Sequence, residues 1–374
     1  MTSEIPTDFG GARGRTFAPF EYMAWAKSHS GPIRLHLGQS GVAPPADEEL
    51  GPAPRATDLA QRGPDMPPLV RARLAARYGV PEGRVMVTLG TSQALYLLCA
   101  SLLSPGERVL VESPDYELLH KLPELHRAKV SRFTRRMDEA FRLPSELPAR
   151  IRSERPSLVL LTNPHNPSGA LLSHAELEPT VLAAREVGAR VIVDEVYLEF
   201  LPDAPARSAL AVADNVVVAS SFTKAFGLGT ARFGWLVGDR AVVDAAIRYN
   251  DYVSVLYPNP SAELGGRALA AEVDLARRAG ALRRRGLGVL RSWVTSRTDV
   301  RWHEPEAGIM ALLRLERVTD TRPFCARLHE ERGVVVVPGE FFEAPQCVRV
   351  GYGIEPALLS EGLAELGAAL EAHP

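Results

Sequence analysis

Residues 215–234 read NVVVASSFTKAFGLGTARFG, a short apolar run followed by a polar, glycine-rich segment. The run of valines predicts a buried strand, and Lys224 follows that strand closely. Lys224 is one of few lysines in a chain whose basic side chains are mostly arginine. An amine can lose its proton and attack a carbonyl, whereas a guanidinium cannot do so at ordinary pH. Two roles are therefore open for Lys224, a solvated surface charge and a nucleophile.

The composition narrows the class of protein. The chain has 374 residues, of which 46% are hydrophobic and 24% charged, as in ordinary globular proteins. A net charge of -2 gives no reason to expect binding to nucleic acid or to an anionic membrane. No signal-peptide core and no run of about 18 apolar residues is present. The three cysteines form no CxxC pair, which favours a reduced cytoplasmic environment and no metal site.

Before Lys224 and shortly after it, short apolar strands alternate with helical patterns. The strand segments are rich in Val, Ile and Leu and are nearly uninterrupted by polar residues, which is typical of strands covered on both faces. They are RVMVTLG, RVLVESP, SLVLLTNPHNPSG, ARVIVDEVYLEF, NVVVASSFTKAFG and RFGWLVG. The alternation predicts an α/β fold with a mainly parallel sheet.

The two ends of the chain break this alternation. Residues 1 to about 65 are rich in glycine and proline, which predicts an irregular arm. From about residue 262 a long helical pattern begins, and shorter strands and helices of α+β type follow it. We therefore expect an N-terminal arm that joins part of a small domain at 1–45, a large domain at 46–262 and a small C-terminal domain at 263–374.

Polar residues gather where the predicted strands end. Five such clusters follow one another in the chain: TLGTSQ, ESPDY, TNPHNPSG, DEVY and SSFTK. In open α/β sheets, ligands bind at the carboxyl ends of the strands, so these clusters are expected to meet in one crevice.

Two of these clusters have both a structural and a functional interpretation. Gly90, Thr91 and Ser92 lie between a strand and a helix, where hydroxyls and backbone N–H groups form an anion site. The same residue types are also ordinary helix caps. Asp194 follows three apolar residues, and it would either end the strand in a turn or hold a protonated ring nitrogen.

Two further residues are equally ambiguous when each is taken alone. Asn166 lies between two prolines, which usually just end a strand but also suit a side chain that donates to a ligand oxygen. Lys224 would be an imine-forming amine if burial or nearby cations disfavour its charged form.

Taken together, the clusters resemble the class I/II aminotransferases, pyridoxal-phosphate enzymes of fold type I. The resemblance depends on NPHNPSG, on Asp194 28 residues after Asn166, and on Lys224 30 residues after Asp194. It extends from VTLGTSQAL to VRVGYG and spans roughly residues 30–370. It implies a large domain with a mainly parallel seven-stranded sheet, a smaller α+β domain, and a homodimer. It also implies pyridoxal 5′-phosphate as cofactor, and an L-amino acid and a 2-oxo acid as substrates.

The resemblance implies a role for each matching residue. Lys224 would form a Schiff base with the cofactor and later move the proton between the substrate α-carbon and the cofactor. Asp194 would keep the pyridine nitrogen protonated, so that the ring accepts electrons from the substrate. Tyr197 and Asn166 would bind the phenolic oxygen, and Tyr116 would stack on the ring.

The phosphate and the substrate also have matching residues. The residues expected to bind the phosphate are Gly90, Thr91, Ser92, Ser221, Thr223 and Arg232. Arg349 would bind the substrate α-carboxylate through two hydrogen bonds, a geometry that suits a guanidinium. Gly38 and Asn166 would line the substrate side, and Val196 would pack on the second face of the ring.

Three departures from the family pattern concern the substrate and the partner subunit. Residues 55–68 contain no tyrosine, although many relatives have one there that reaches the phosphate of the neighbouring subunit. Ile309 and Met310 stand where relatives often have an aromatic residue, which predicts a pocket unusual for aspartate or aromatic substrates. The segment LHLGQSGVAPP is similar to one in a branch that includes enzymes acting on arginine-derived amino acids.

Other functions remain as alternatives. Elimination, replacement or cyclisation on an amino acid begins with the same loss of the α-proton, so the motifs do not separate these reactions from transamination. A transcription regulator built on the same domain is not expected, because no basic helix-turn-helix pattern precedes it.

Overall fold

This computed structural model describes residues 19–50, 68–201 and 203–373, which include eleven α-helices. In chain order they are α1 (Glu21–Ser28), α2 (Pro68–Tyr78), α3 (Thr91–Leu102), α4 (Leu118–Leu125), α5 (Leu147–Glu154), α6 (His174–Glu186), α7 (Arg240–Asn250), α8 (Asn259–Ala270), α9 (Glu272–Thr295), α10 (Thr321–Arg332) and α11 (Pro356–Glu371). None of the helices in these ranges is both long and apolar enough to cross a membrane.

The strands of the same residues belong to three sheets. In chain order they are β1 (Leu35–His36), β2 (Val85–Leu89), β3 (Arg108–Ser113), β4 (Lys129–Thr134), β5 (Leu158–Thr162), β6 (Arg190–Asp194), β7 (Val216–Ser221), β8 (Phe233–Val237), β9 (Val300–Trp302), β10 (Met310–Leu315), β11 (Val334–Val335), β12 (Val337–Pro338) and β13 (Cys347–Gly351).

The central sheet has seven strands in the order β2-β8-β7-β6-β5-β3-β4. Neighbouring strands are parallel in the part of the sheet that runs β7-β6-β5-β3-β4. Strand β8 is antiparallel to both of its neighbours, β2 and β7. The register pairs Thr162 of β5 with Asp194 of β6, so the polar ends of adjacent strands lie side by side. The predicted α/β fold with a mainly parallel seven-stranded sheet is confirmed.

Helices cover both faces of this sheet, as the uninterrupted apolar strands require. Val191 and Val193 of β6 belong to one buried cluster, which includes apolar residues of α2, α5 and α6. Ile192, between them, points to the other face and belongs to a second cluster with residues of α3, α4 and α7. Because each face is buried, the strands other than the edge strand β4 carry few polar residues until they reach their carboxyl ends.

A four-stranded antiparallel sheet, β12-β13-β10-β9, forms the centre of the C-terminal part. Arg349 lies in the middle of β13, which pairs with β10 on one side and β12 on the other. β1 pairs with β11, with Leu35 opposite Val334, so an N-terminal segment contacts the C-terminal part. The domain limits at 45 and 262 stay a prediction.

Candidate active site

A cavity of about 400 Å³ opens where the polar strand ends meet, within the size range of small-molecule sites. Of the predicted site residues it is lined by Thr91, Ser92, Tyr116, Asn166, Asp194, Tyr197, Ser221, Thr223, Lys224, Arg232 and Arg349, together with Val196. Gly90 and Gly38 do not line the cavity, but each contacts an arginine that does. Motifs spread over more than 250 residues of sequence therefore lie around a single cavity.

Lys224 lies just beyond β7, and its half-buried side chain lines this cavity. Its Nζ donates a hydrogen bond to Ser40 Oγ at 2.8 Å. Burial lowers the pKa of Lys224; Tyr22 and Asp194 oppose this shift, and the charge of Arg349 adds to it. A lysine with a lowered pKa has a larger fraction of neutral amine, the form that attacks a carbonyl. Lys224 therefore lies in a cavity and not on an open surface, and its role as a nucleophile stays a prediction.

Asp194 ends β6 with its carboxylate buried and only 4% exposed. Its Oδ1 accepts one hydrogen bond, from the backbone N–H of Val196 at 2.9 Å. Burial raises the pKa of Asp194 to about 7, although this hydrogen bond and the charge of Lys224 lower it. A buried acid with so little compensation would be stabilised in its ionised form by a cationic N–H group of a ligand.

A buried ion pair is connected to the backbone of Asn166 through hydrogen bonds. Arg135 donates to Glu112 at 2.6 Å, and both side chains are inaccessible to solvent. The other oxygen of Glu112 accepts hydrogen bonds from the backbone N–H and the hydroxyl of Thr162, each at 2.6 Å. Thr162 Oγ1 in turn accepts the backbone N–H of Asn166 at 3.0 Å. The loop that carries Asn166 is therefore fixed by a charged network inside the sheet.

Groups that suit an anion lie together in part of the cavity. The helix α3 begins at Thr91, whose hydroxyl donates to Ser221 Oγ at 3.0 Å. Arg232 brings its guanidinium to the same place, where Nη2 donates to the carbonyl of Leu89 at 2.8 Å. Gly90 precedes the helix with φ +81°, and a Cβ at this position would lie 2.6 Å from Arg232 Nη2. Hydroxyls, a guanidinium and a helix N-terminus together suit a phosphate.

Arg349 also lines the cavity and is buried, with 1% of its surface exposed. Nη1 donates to Asn166 Oδ1 at 3.2 Å, and Nη2 donates to Tyr22 Oη at 2.8 Å and to the carbonyl of Gly38 at 3.4 Å. Its Nε has no hydrogen-bond partner, and no carboxylate among residues 19–50, 68–201 and 203–373 forms an ion pair with it. A buried cation without an anion is costly, so this position favours a carboxylate ligand.

Two polar residues of the cavity were not predicted from the sequence. Tyr22 comes from α1, in a region where the sequence predicts only an irregular arm, and Ser40 lies in the segment that contains Gly38. A signal for Ser40 was present, since LGQSG includes Gly38, which the family resemblance places on the substrate side. The side chains of Met23, Ala26 and Leu95 add an apolar part to the lining.

Two other predictions from the sequence concern residues that are not part of the described cavity lining. Ile309 and Met310 are fully buried and do not line it. The predicted effect of these two residues on substrate choice stays a prediction. Residues 55–67, most of the stretch that lacks the tyrosine, lie outside the described residues.

The donor set of this cavity fits pyridoxal 5′-phosphate. An anion site, a buried acid suited to a ring N–H group, and an amine of lowered pKa all face one space. The ring of Tyr116 and the side chain of Val196 offer apolar surfaces for a planar ring. The fold and the site together define a pyridoxal-phosphate-dependent enzyme of fold type I.

Comparison with known proteins shows the family. The model of the family "Aminotransferase class I and II" matches residues 57–366, so the chain belongs to this family of pyridoxal-phosphate-dependent enzymes. Capreomycidine synthase of Streptomyces vinaceus is 30% identical over 311 residues, 81% of this chain and 79% of that protein. Arginine–pyruvate transaminase AruH of Pseudomonas aeruginosa is 30% identical over 306 residues, 77% of each chain. The solved structure of the pyridoxal-phosphate-dependent cyclase OrfR has a TM-score of 0.86 at 26% identity and covers 97% of this chain and 100% of its own.

Proposed function

We propose that the enzyme is an aminotransferase that moves the α-amino group of an L-amino acid to a 2-oxo acid, with Lys224 as the amine that binds the cofactor. The observation that supports this most directly is that Lys224 and the unpaired Arg349 face the same cavity. An amine and a carboxylate anchor are what an α-amino acid requires. The family assignment supports the same reaction.

Pyridoxal phosphate, when bound, supplies an electron sink for the electron pair left when the α-C–H bond breaks. Asp194 would hold the pyridine nitrogen in its protonated form, since the ion pair stabilises both charges. Asn166 and Tyr197 would donate hydrogen bonds to the phenolic oxygen. Tyr116 would pack on one face of the ring and Val196 on the other.

The residues of the anion site would hold the phosphate. They are Gly90, Thr91, Ser92, Ser221, Thr223 and Arg232. Because α3 begins here, its free N–H groups and its dipole would add to the attraction of the Arg232 guanidinium.

Arg349 would bind the substrate α-carboxylate, and Gly38 and Asn166 would border the same position. Anchoring the carboxylate orients the α-C–H bond of the substrate. Lys224 Nζ would take the α-proton and pass it to the cofactor. Its lowered pKa supports this role, because the amine must be neutral to accept a proton.

Cyclisation of an amino acid is the second candidate function. Its support is the similarity to capreomycidine synthase and to the cyclase OrfR. The two reactions share the loss of the α-proton and differ in their later steps.

One experiment separates the two functions. The purified enzyme is incubated with a panel of amino acids, including arginine and other basic, aromatic and small ones, without any 2-oxo acid. Transamination predicts that the cofactor is converted to pyridoxamine phosphate and that one equivalent of 2-oxo acid forms. A cyclase instead gives many turnovers of a ring product and leaves the cofactor as pyridoxal phosphate. If no amino acid changes the cofactor or is consumed, both functions are wrong.

We further propose that the enzyme is a homodimer. An apolar surface after α7 supports this, because Tyr252 is 90% exposed, Val255 65% and Leu256 60%. A second copy of the chain would cover it.

Sedimentation velocity tests the proposal with the double variant Tyr252→Asp, Leu256→Asp, which we expect to be monomeric. The matched control is Val273→Asp, which alters an apolar residue that is 68% exposed on α9 and should leave the dimer intact. A monomeric wild type would contradict the proposal.

We also place the enzyme in the cytoplasm. The support is that Cys99, Cys325 and Cys347 are all buried and unpaired, as expected in a reducing compartment. Expression of a fluorescent fusion in the source cells, followed by fractionation, tests this location. Recovery in a secreted or membrane fraction would contradict it.

A further inference from the structure

Arg232, which the proposed function assigns to the cofactor phosphate, has an unusual backbone conformation. Its φ is +52°, in the left-handed region that residues other than glycine rarely adopt and that costs free energy. Its side chain is exposed in the single chain, so packing alone does not hold the residue. Contacts at the backbone and at the guanidinium must therefore keep Arg232 in this conformation.

Hydrogen bonds hold Arg232 at both ends. At the guanidinium, Nη1 donates to the carbonyl of Gly229 at 3.2 Å, and Nη2 donates to the carbonyl of Leu89 at 2.8 Å. At the backbone, the carbonyl of Arg232 accepts a hydrogen bond from Tyr257 Oη at 2.9 Å. Burial raises the pKa of Tyr257, so this phenol keeps its proton and stays a donor. A guanidinium has five N–H groups, and its two hydrogen bonds leave donors for an anion.

Tyr257 is itself held in place. Its half-buried ring packs against the buried cluster that includes apolar residues of α2, α5 and α6. The segment before it is fixed by Gln93, whose Nε2 donates to Ser254 Oγ at 2.8 Å. The Oε1 atom of Gln93 accepts the backbone N–H of Leu89 at 2.6 Å. Gln93 therefore joins the segment of Tyr257 to the same Leu89 that binds the guanidinium.

We propose that Tyr257 is a positioning residue for the cofactor phosphate. Its hydroxyl holds the backbone of Arg232 in the left-handed conformation that directs the guanidinium to the anion site. Tyr257 is not part of the described cavity lining, so it acts through Arg232 and not on the phosphate itself. This inference rests on the proposed function, since it requires Arg232 to bind the phosphate. It does not depend on whether the reaction is transamination or cyclisation.

The effect of this hydrogen bond is expected in the binding of the cofactor. Without the hydroxyl, the cofactor-free protein gains conformations in which Arg232 has an ordinary negative φ and its guanidinium points elsewhere. Only the fraction with the guanidinium in place is competent to bind the phosphate, and the measured affinity falls with that fraction. The contribution of one hydrogen bond corresponds to a change of about three- to tenfold in affinity.

The first test compares pyridoxal phosphate with pyridoxal, which has the same ring and aldehyde but no phosphate. Equilibrium binding to the cofactor-free protein is measured by fluorescence in the wild type and in Tyr257→Phe. We expect the dissociation constant of pyridoxal phosphate to rise about three- to tenfold and that of pyridoxal to stay unchanged. A purely structural effect of the substitution would weaken the binding of both ligands alike.

Tyr78→Phe is the matched control for this variant. Tyr78 is also half-buried and packs against the same cluster, and its hydroxyl accepts a hydrogen bond from Trp235 Nε1 at 2.9 Å. Both variants lose one phenol hydroxyl and one hydrogen bond of the same length, so both should be less stable in urea. The affinity for pyridoxal phosphate should fall only in Tyr257→Phe.

The second test removes the guanidinium. The affinity for pyridoxal phosphate is measured in Arg232→Ala and in the double variant Arg232→Ala, Tyr257→Phe. If Tyr257 acts through Arg232, the two substitutions are not additive, and the double variant should bind the cofactor as weakly as Arg232→Ala does.

These outcomes separate the inference from the proposed function. The role of Tyr257 is overturned if Tyr257→Phe binds pyridoxal phosphate as tightly as the wild type, if it loses affinity for both ligands equally, or if the double variant shows a further loss. The proposed anion site then stands without Tyr257. If Arg232→Ala binds pyridoxal phosphate as tightly as the wild type, Arg232 is not a phosphate ligand, and the proposed anion site and the inference are both wrong.

Discussion

The carboxylate of Glu117 accepts a hydrogen bond from the backbone N–H of Tyr22 at 2.6 Å. Its other oxygen accepts the backbone N–H of Glu21 at 3.0 Å, so Glu117 satisfies the two N–H groups with which α1 begins. A carboxylate at a helix N-terminus is stabilised by both hydrogen bonds and the helix dipole. Glu117 directly follows Tyr116, and it therefore ties α1 to the loop that lines the cofactor cavity.

Glu117→Ala removes this attachment. We expect the free energy of unfolding to fall by about 1–2 kcal/mol, as when other helix caps are lost. Because α1 carries Tyr22, we expect KM for the amino acid to rise several-fold while kcat changes less. Glu117→Gln keeps one acceptor oxygen and should lie between wild type and Glu117→Ala. Glu124→Ala, which alters an exposed carboxylate of α4, the helix that Glu117 precedes, is the control. If it matched Glu117→Ala in KM, Glu117 would have no specific role in placing α1.

The anion site gives a second prediction, at Gly90. A methyl group there would lie 2.6 Å from Arg232 Nη2 and would push the guanidinium away from the phosphate position. We expect Gly90→Ala to raise the dissociation constant of pyridoxal phosphate about tenfold or more, since about 1.4 kcal/mol corresponds to a factor of ten. Equilibrium binding by fluorescence measures it.

Gly106→Ala is the matched control for this variant. Gly106 has φ +89°, close to that of Gly90, but a Cβ there would meet nothing within 4 Å. Both glycines have positive φ, so both substitutions impose backbone strain, roughly 1–3 kcal/mol each. Stability should therefore fall in both variants and cofactor affinity only in Gly90→Ala. Equal losses of affinity would show that backbone strain, and not the contact with Arg232, is responsible.

A third prediction concerns Lys224. Lys224→Arg keeps the positive charge but has no amine that loses its proton at ordinary pH, and Lys224→Ala has neither. We expect turnover to fall by more than about 1000-fold in both. Reductive trapping followed by mass spectrometry should find the cofactor attached to the peptide that contains residue 224 in the wild type alone. Lys129→Ala, an exposed lysine at the start of β4, should be trapped and turn over normally. Trapping on another residue would remove Lys224 from its proposed role.

The sequence was sufficient for the features that depend on local pattern. The apolar strands, the polar residues at their ends and the spacing from Asn166 to Lys224 all lie within short segments, and the sheet order brings those segments together. The antiparallel direction of β8 was not predicted, because the 11 residues of 222–232 lie at the limit of the crossover length that a parallel strand needs.

The contribution of α1 could not be predicted in this way. Its position depends on Glu117, which is 96 residues from Glu21 in the sequence, and on the contact between Tyr22 and Arg349, which are 327 residues apart. Neither contact leaves a periodic or spaced pattern in the chain. The glycine- and proline-rich surroundings predicted an irregular arm, in which the family resemblance marked only Gly38 as a site residue. Long-range side-chain contacts of this kind become visible only when the fold is known.

Asp194 gives a fourth prediction, on the stability of the cofactor-free protein. Burial raises the pKa of this carboxyl to about 7 in the folded state, against an ordinary value near 3.8. The folded protein therefore binds this proton more tightly than the unfolded chain does. The resulting stability is fully present below about pH 4 and is lost as pH rises toward 7, by up to about 4 kcal/mol.

The neighbouring Glu195, whose pKa burial raises to about 8, acts in the same direction, so the contribution of Asp194 must be measured as a difference. Asp194→Asn carries no titrating group, and we expect the stability of the wild type relative to this variant to fall between about pH 4 and 7. Urea unfolding at several pH values measures it. Addition of pyridoxal phosphate should remove the part of the fall in stability that Asp194 causes in the wild type, because a protonated ring nitrogen stabilises the ionised carboxylate. In Asp194→Asn the cofactor should have no such pH-dependent effect. A difference between the two proteins that is constant over this range would mean that Asp194 is already ionised without the cofactor.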